Sequence, residues 1–309
     1  MPKADAAAPR LQDALDWGAL GPLRLRARQI AGGLYAGVHR SLRRGAGVEF
    51  GGHRNYVPGD DLRWLDRRAL MRHGRLLIRE FETETDRALC LIVDGSTSMR
   101  FRSERGDAAK LAYAAVLAAA LARVALAGGD PVSLDWIGGT RTTSLPPSGG
   151  REAFERVVAA LESAGAGGDL LVDPAALDRT LAAVSRRAPD GAVIVLLSDL
   201  LDLPAEALDR FCALSTRRRT LLAVQVLDPV EAEFPFDGAV LLRSSEGDRV
   251  LETEAQAVRA GYLDALAQLA RRWDSALTQR QGRLVSCTTA DDPVSVVRSI
   301  LITAAGGGP

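Results

Sequence analysis

From residue 88 onward the chain alternates short apolar runs with longer helical stretches, and this alternation constrains its fold more than any other feature. Residues 88–93 and 192–197 are apolar throughout, as expected of strands covered on both faces. Residues 132–137, 220–227 and 283–287 read as further strands. Helices are expected between them at 103–127, 152–163, 174–187, 204–216, 254–279 and 293–303. A short polar edge strand is expected at 140–145, and a hairpin around Glu246-Gly247-Asp248. Strand–helix alternation of this kind implies an α/β fold: a three-layer, mostly parallel sheet with helices on both faces and right-handed crossovers. In such sheets the ligand crevice lies at the carboxyl ends of the strands.

Ahead of residue 85 the pattern differs. Residues 23–39 form an amphipathic helix with Arg24, Arg28 and Arg40 outward, 45–66 is glycine-rich with a Pro58-Gly59-Asp60-Asp61 turn, and 76–84 reads as a strand. The expected organisation is an N-terminal extension, 1–85, and a main domain, 86–309. The 309 residues carry 39 basic and 39 acidic side chains, so no global field points to nucleic acid or lipid. The charge is uneven: residues 21–80 hold 13 Arg against 5 acids, and all three histidines, His39, His53 and His73. Few aromatics interleave Arg43, Arg44 and their neighbours, so a solvated basic face is expected rather than base stacking. The histidines lack metal-ligand spacing, and Trp64 reads as a core anchor. Cys90, Cys212 and Cys287 are odd in number and widely separated, which argues against a disulfide framework or a thiol-rich zinc site and fits a reducing compartment. With no basic-then-apolar leader at the start, and with the Ala-rich run 111–127 interrupted by Arg123, a cytoplasmic protein with a buried helix there is expected.

The chemistry-bearing segment is Leu91-Ile92-Val93-Asp94-Gly95-Ser96-Thr97-Ser98-Met99. An apolar strand runs into Asp-x-Ser-x-Ser, where alternate residues point the same way, so Asp94, Ser96 and Ser98 converge. A carboxylate and two hydroxyls form a hard-oxygen donor set suited to Mg²⁺, with Mn²⁺ and Ca²⁺ as the other hard dications. A second apolar strand ends in Ser198-Asp199, and Gly167-Gly168-Asp169 opens a loop that brings a further oxygen ligand. The bland alternative is helix capping by the serines and backbone hydrogen bonding by the aspartates.

These residues resemble the metal-ion-dependent adhesion site of von Willebrand factor type A domains. Upstream, Gly47-Val48-Glu49-Phe50, Arg54-Asn55-Tyr56-Val57-Pro58-Gly59-Asp60-Asp61-Leu62-Arg63 and Leu65-Asp66 resemble the signature of bacterial domain-of-unknown-function family 58, which places it just ahead of a type A domain. The resemblance is good over residues 35–200 and rests on strand–helix order beyond. It implies that Ser96 and Ser98 coordinate Mg²⁺ directly while Asp94 and Asp199 act through water. Two positions depart from the pattern: Asp169 stands where a threonine ligand is usual, and Arg67 where a tryptophan is usual. With Asp169 as ligand, three carboxylates around a dication leave a net charge near −1, which repels an acidic partner group.

Members of the family sit beside MoxR-type AAA+ ATPases. The resemblance therefore implies a non-enzymatic interaction module, an adaptor or chaperone partner of such an ATPase in maturing or remodelling a client complex. Arg54, Asp60, Asp61 and Arg63 are its candidate partner-binding residues, with local pairing of Arg63 to Asp60, Asp61 or Asp66 as the structural alternative. The chain has no Gly-x-x-x-x-Gly-Lys-Ser/Thr loop of its own. The enzyme alternative is a Mg²⁺-dependent phosphotransferase of haloacid dehalogenase type with Asp94 as nucleophile. That chemistry needs a general acid two residues on, where Ser96 stands, and a nearby lysine, for which the chain offers only Lys3 and Lys110. A serine hydrolase is a weaker alternative still, since Gly-x-Ser-x-Gly is absent around Ser96 and Ser98.

Overall fold

The structure is a computed structural model that describes residues 22–38, 49–55, 77–82, 87–168, 173, 175–216, 218–243 and 250–305. The chain divides into two units, Met1–Val38 with Arg87–Pro309, and His39–Asp86. In the smaller unit, β1 (Glu49–Asn55) pairs antiparallel with β2 (Leu77–Glu82) across a register shift between Phe50 and Gly52. The second strand was legible as an alternating stretch. Its partner hides in a glycine-rich segment, because a bulge admits an extra residue and breaks the period of two.

The larger unit opens with α1 (Leu23–Val38), whose Leu23, Ala27, Ile30, Ala31 and Leu34 form one buried stripe at helical spacing. That stripe joins the main hydrophobic core. Residues 1–85 are therefore not one extension: their helix belongs to the main unit, with Arg24 and Arg28 turned out onto Glu155.

The main sheet has the order β10-β7-β6-β3-β4-β5, built from β3 (Leu89–Asp94), β4 (Val132–Ile137), β5 (Leu145–Ser148), β6 (Val193–Ser198), β7 (Thr220–Leu227) and β10 (Arg283–Thr288). All neighbours are parallel except β5, which runs antiparallel along β4. This is the expected three-layer α/β class. The polar edge strand lies a few residues later than expected: Thr140 bridges Gly165 instead, and Pro146 and Pro147 suit β5 only to an edge.

Alternate strand residues serve two cores. Leu91, Val93, Leu134, Trp136, Val195, Leu197, Val224 and Val226 face α1, α2 (Lys110–Gly128), α3 (Arg151–Ser163) and α8 (Pro293–Ala304). Cys90, Ile92, Ile194, Leu196 and Ala223 face α4 (Ala175–Arg187), α5 (Ala207–Cys212) and α7 (Ala255–Thr278). A short α6 (Pro229–Glu233), capped by Asp228, follows β7. Strands β8 (Ala239–Arg243) and β9 (Val250–Glu254) form the expected hairpin apart from the main sheet. The three cysteines are buried and free.

Helix α2 is apolar almost all round and ends on Gly129 in the left-handed conformation. It is long and apolar enough to cross a membrane, yet most of it is buried within the domain. It begins seven residues after the position its composition suggests. Residues 101–109 instead form a loop fixed on Asp228, whose carboxylate accepts from Ser103 N at 2.8 Å and Ser103 Oγ at 2.5 Å.

Candidate metal centre

From β3 the chain passes to β4 on one side, and from β6 to β7 on the other. The carboxyl ends of the neighbours β3 and β6 therefore flank the topological switch point, where open α/β sheets form their crevice. Asp94 ends β3, and Ser198-Asp199 ends β6.

The loops around these tips touch backbone to backbone. Gly95 N donates to Ile137 O, Gly167 N to Gly95 O, and Gly139 N to Gly167 O, each at 2.8 Å. A side chain on Gly95 would place its Cβ 2.8 Å from the Gly139 Cα, so only glycine fits. Gly139 itself has φ +86°, a conformation glycine adopts without strain. Gly168 O accepts from Thr97 N at 3.1 Å and Thr97 Oγ1 at 2.8 Å. The 165–168 loop is thus tied directly to the Asp-x-Ser-x-Ser turn.

Asp94 is 1% exposed. Its Oδ1 accepts from Ser96 N at 2.9 Å and its Oδ2 from Ser198 Oγ at 2.6 Å. Burial, and then the Asp199 charge, push its carboxyl up to about 6 against the pull of the Ser198 and Ser96 hydrogen bonds. Ser96 Oγ and Ser98 Oγ are both buried and lie 3.1 Å apart, while Thr97 between them turns to Gly168.

At the second tip, Asp199 Oδ1 accepts from Leu201 N at 3.0 Å. Its Oδ2 is engaged by Lys110 Nζ at 2.7 Å, and the same ammonium reaches Glu231 Oε1 at 2.7 Å. Lys110 is 0% exposed. Burial disfavours its charge, and the two carboxylates more than offset that, holding the ammonium's pKa above its ordinary range. Glu231 is held in turn by Asp228 N at 2.9 Å. A chain of charges therefore runs from the β6 tip through Lys110 and Glu231 to the end of β7.

The structure gathers Asp94, Ser96, Ser98 and Asp199 at the two tips. Asp169 lies outside the described residues, as do Asp60, Asp61, Arg63, Trp64, His39 and His73. Arg54 lies in β1, paired across to Ile78. Sequence reasoning missed Lys110, Glu231 and Asp228 as members of the cluster, and placed Ser198 at the β6 tip without giving it a role. Lys110 carried a signal: it is one of only two lysines among 39 basic residues, and it heads the most apolar helix. Its presence supplies the lysine that the phosphotransferase alternative lacked, but Ser96 still occupies the position of the general acid.

The donor set fits a small dication. Cis oxygens of an octahedron with bonds of about 2.05 Å stand about 2.9 Å apart, close to the 3.1 Å between the serine oxygens. Ser96, Ser98 and Asp94 would hold such an ion, which would neutralise the Asp94 carboxylate that burial penalises. Asp199 fits less well, since an internal cation already occupies one of its oxygens. Among the described residues no three His, Cys, Asp or Glu side chains gather as a cage, so the donors are chiefly hydroxyls.

Sheet order, the Asp-x-Ser-x-Ser turn at the switch point and helices on both faces define a von Willebrand factor type A-like domain. The model of the family described as "Protein of unknown function DUF58" matches residues 52–272, and the chain belongs to that family. An uncharacterized protein of Mycobacterium tuberculosis, Rv1480, is 34% identical over 272 residues, covering 85% of this chain and 80% of that protein.

Similar solved structures include BatB from Bacteroides thetaiotaomicron, at TM-score 0.43 and 17% identity over 70% of this chain and 98% of that one. A von Willebrand factor type A protein from Catenulispora acidiphila has TM-score 0.39 and 17% identity, over 75% of this chain and 44% of that one. An aerotolerance-related membrane protein from Bacteroides fragilis has TM-score 0.45 and 16% identity, over 70% and 98%. Another match, from Vibrio fischeri, is described as membrane spanning. Proteins described as membrane proteins are among the matches, and the expectation of a cytoplasmic location is not retained.

Proposed function

We propose that this chain is a protein-interaction module whose β3–β6 crevice binds a Mg²⁺-type dication and docks another protein. It works beside a MoxR-type AAA+ ATPase in the maturation or remodelling of a client complex. The observation that carries the reading is the buried pair of serine hydroxyls, 3.1 Å apart, next to a buried carboxylate at the switch point. Membership of the family supports the interaction role, and the ATPase partnership rests on the family resemblance.

Thermal melting with and without Mg²⁺ tests the site. A dication at 100 times its Kd stabilises the folded chain by about 2.7 kcal/mol, and Ser96→Ala with Ser98→Ala removes two direct ligands and abolishes that gain. A metal-induced shift that survives the double change refutes the ligand assignment. Capture of an AAA+ ATPase from the native cell, lost in EDTA, tests the partnership. Mg²⁺-dependent turnover of an aryl phosphate that disappears in Asp94→Asn would favour the phosphotransferase instead.

A further inference from the structure

Among the buried groups at the crevice, Lys110 is a cation that the metal reading leaves unused. It is the first residue of α2, its side chain is fully buried, and its ammonium touches Asp199 Oδ2 and Glu231 Oε1 at 2.7 Å each. The Phe101 ring, 5.8 Å away, closes over it. A buried cation of this kind persists only when paired on several sides, and here one of its two partners is the carboxylate at the tip of β6.

Resting on the dication reading of the crevice, we infer that Lys110 is the residue that sets the charge, and so the metal affinity, of this site. Its ammonium, shared with Glu231, offsets part of the Asp199 charge before any ion arrives. A dication entering between the serines then meets Asp94 as its one uncompensated described carboxylate, with a fixed positive charge behind Asp199. One consequence follows from Coulomb's law in a partly desolvated crevice: the dication is held more weakly than the number of acidic side chains suggests, and it is exchangeable rather than structural.

The inference does not depend on moving the lysine. Glu231 holds the ammonium from the far side and is itself held by Asp228 N, so Lys110 stays next to Asp199 whether the crevice is filled or not. It acts through Asp199, as a positioning and charge-setting residue.

The test is a Mg²⁺ and Mn²⁺ titration of the full chain, followed by melting temperature and by isothermal calorimetry. Wild type is compared with Lys110→Met and with the double variant Lys110→Met, Glu231→Gln. The double variant removes the lysine together with the glutamate it would otherwise leave buried and unpaired, and so guards against simple misfolding. Both variants are expected to melt lower than wild type in EDTA; Lys110→Met is expected to bind the dication at least tenfold more tightly, and the double variant, which also loses the Glu231 charge, to bind it more tightly by a smaller factor. A merely structural role lowers the melting temperature and leaves the midpoint of the metal titration where it was. If wild type binds the ion and the folded double variant binds it equally or more weakly, the inference is overturned while the metal site stands. If only the variants bind, Lys110 is confirmed as the controlling charge, and the resting protein is not a metal protein. If neither wild type nor variant binds, the metal reading and the inference both fail.

Discussion

Replacing Gly95 by alanine is the most economical way to disturb the crevice without touching a donor atom. The added Cβ would lie 2.8 Å from the Gly139 Cα, 3.2 Å from its nitrogen and 3.5 Å from the Gly138 carbonyl carbon. Non-bonded carbons come to rest at about 3.5–4.0 Å, so the β3 and β4 loops must part by about 0.7 Å or more. The obstacle is backbone, which cannot rotate aside as a side chain would. Overpacking of this kind costs about 1–3 kcal/mol. In a domain of this size each kcal/mol lowers the melting temperature by about 2–4 °C, giving an expected drop of about 2–12 °C in EDTA. The larger effect falls on the site. Gly95 O accepts from Gly167 N, and Gly95 separates Asp94 from Ser96, so parting the loops moves the serines relative to the rest of the donor set. Metal sites tolerate only about 0.2 Å of ligand displacement, and the Mg²⁺ midpoint should rise at least tenfold. Scanning fluorimetry over a Mg²⁺ series measures both quantities. A variant that melts within 2 °C of wild type with an unchanged midpoint would show that the loops are not in contact as described.

Two further substitutions probe the scaffold. Arg187→Ala leaves the buried Asp135 carboxylate, now paired with Arg187, without its cation. The expected loss is about 3 kcal/mol, the lower end for breaking a buried pair, because Arg187 keeps a third of its side chain in water. Burial raises the Asp135 carboxyl against the pull of Arg187. Protonation therefore relieves the penalty, the loss in urea unfolding shrinks as pH falls, and Asp135→Asn in the same chain recovers part of it; a loss independent of pH would disprove the charge argument. Asp292→Ala removes the cap of α8, which accepts from Val294 N, Ser295 N and Ser295 Oγ, at a cost of about 1 kcal/mol. Burial works against the Asp292 charge, but those hydrogen bonds hold its carboxyl below the ordinary range. Its contribution is present above about pH 4 and fades below, so wild type and variant should converge in acid; curves that stay apart would contradict this.

The larger unit was legible because its strands are buried on both faces. Sequences such as Leu89–Asp94 and Val193–Ser198 carry no polar alternation to confuse with a surface strand, and the helices between them follow from spacing. What was not legible depends on contacts distant in sequence. The residues before Lys110 have the composition of a helix, but Ser103 is hydrogen-bonded to Asp228, 125 positions away, and the segment stays a loop. The partner of β2 was obscured by Gly51 and Gly52, where a bulge interrupts the pairing. Helix α1 read as part of an appendage because nothing local reveals that Leu23, Ile30 and Leu34 complete a core built by the rest of the chain.

The site divides along the same line. Asp94, Ser96 and Ser98 were legible because three donors within five residues converge through local geometry alone, and Asp199 because a second strand ends as the first does. Lys110 was not, since its role comes from tertiary placement: a lysine at the head of an apolar helix is ordinarily a solvated end. Its burial against Asp199 and Glu231 changes what the same acidic side chains can do. Counted from sequence, they suggest a strongly negative cage that would grip a dication and repel an acidic partner. The ammonium offsets only part of that charge, because Asp199 and Glu231 share it, so the acidic side chains do not contribute equally to the field at the serines.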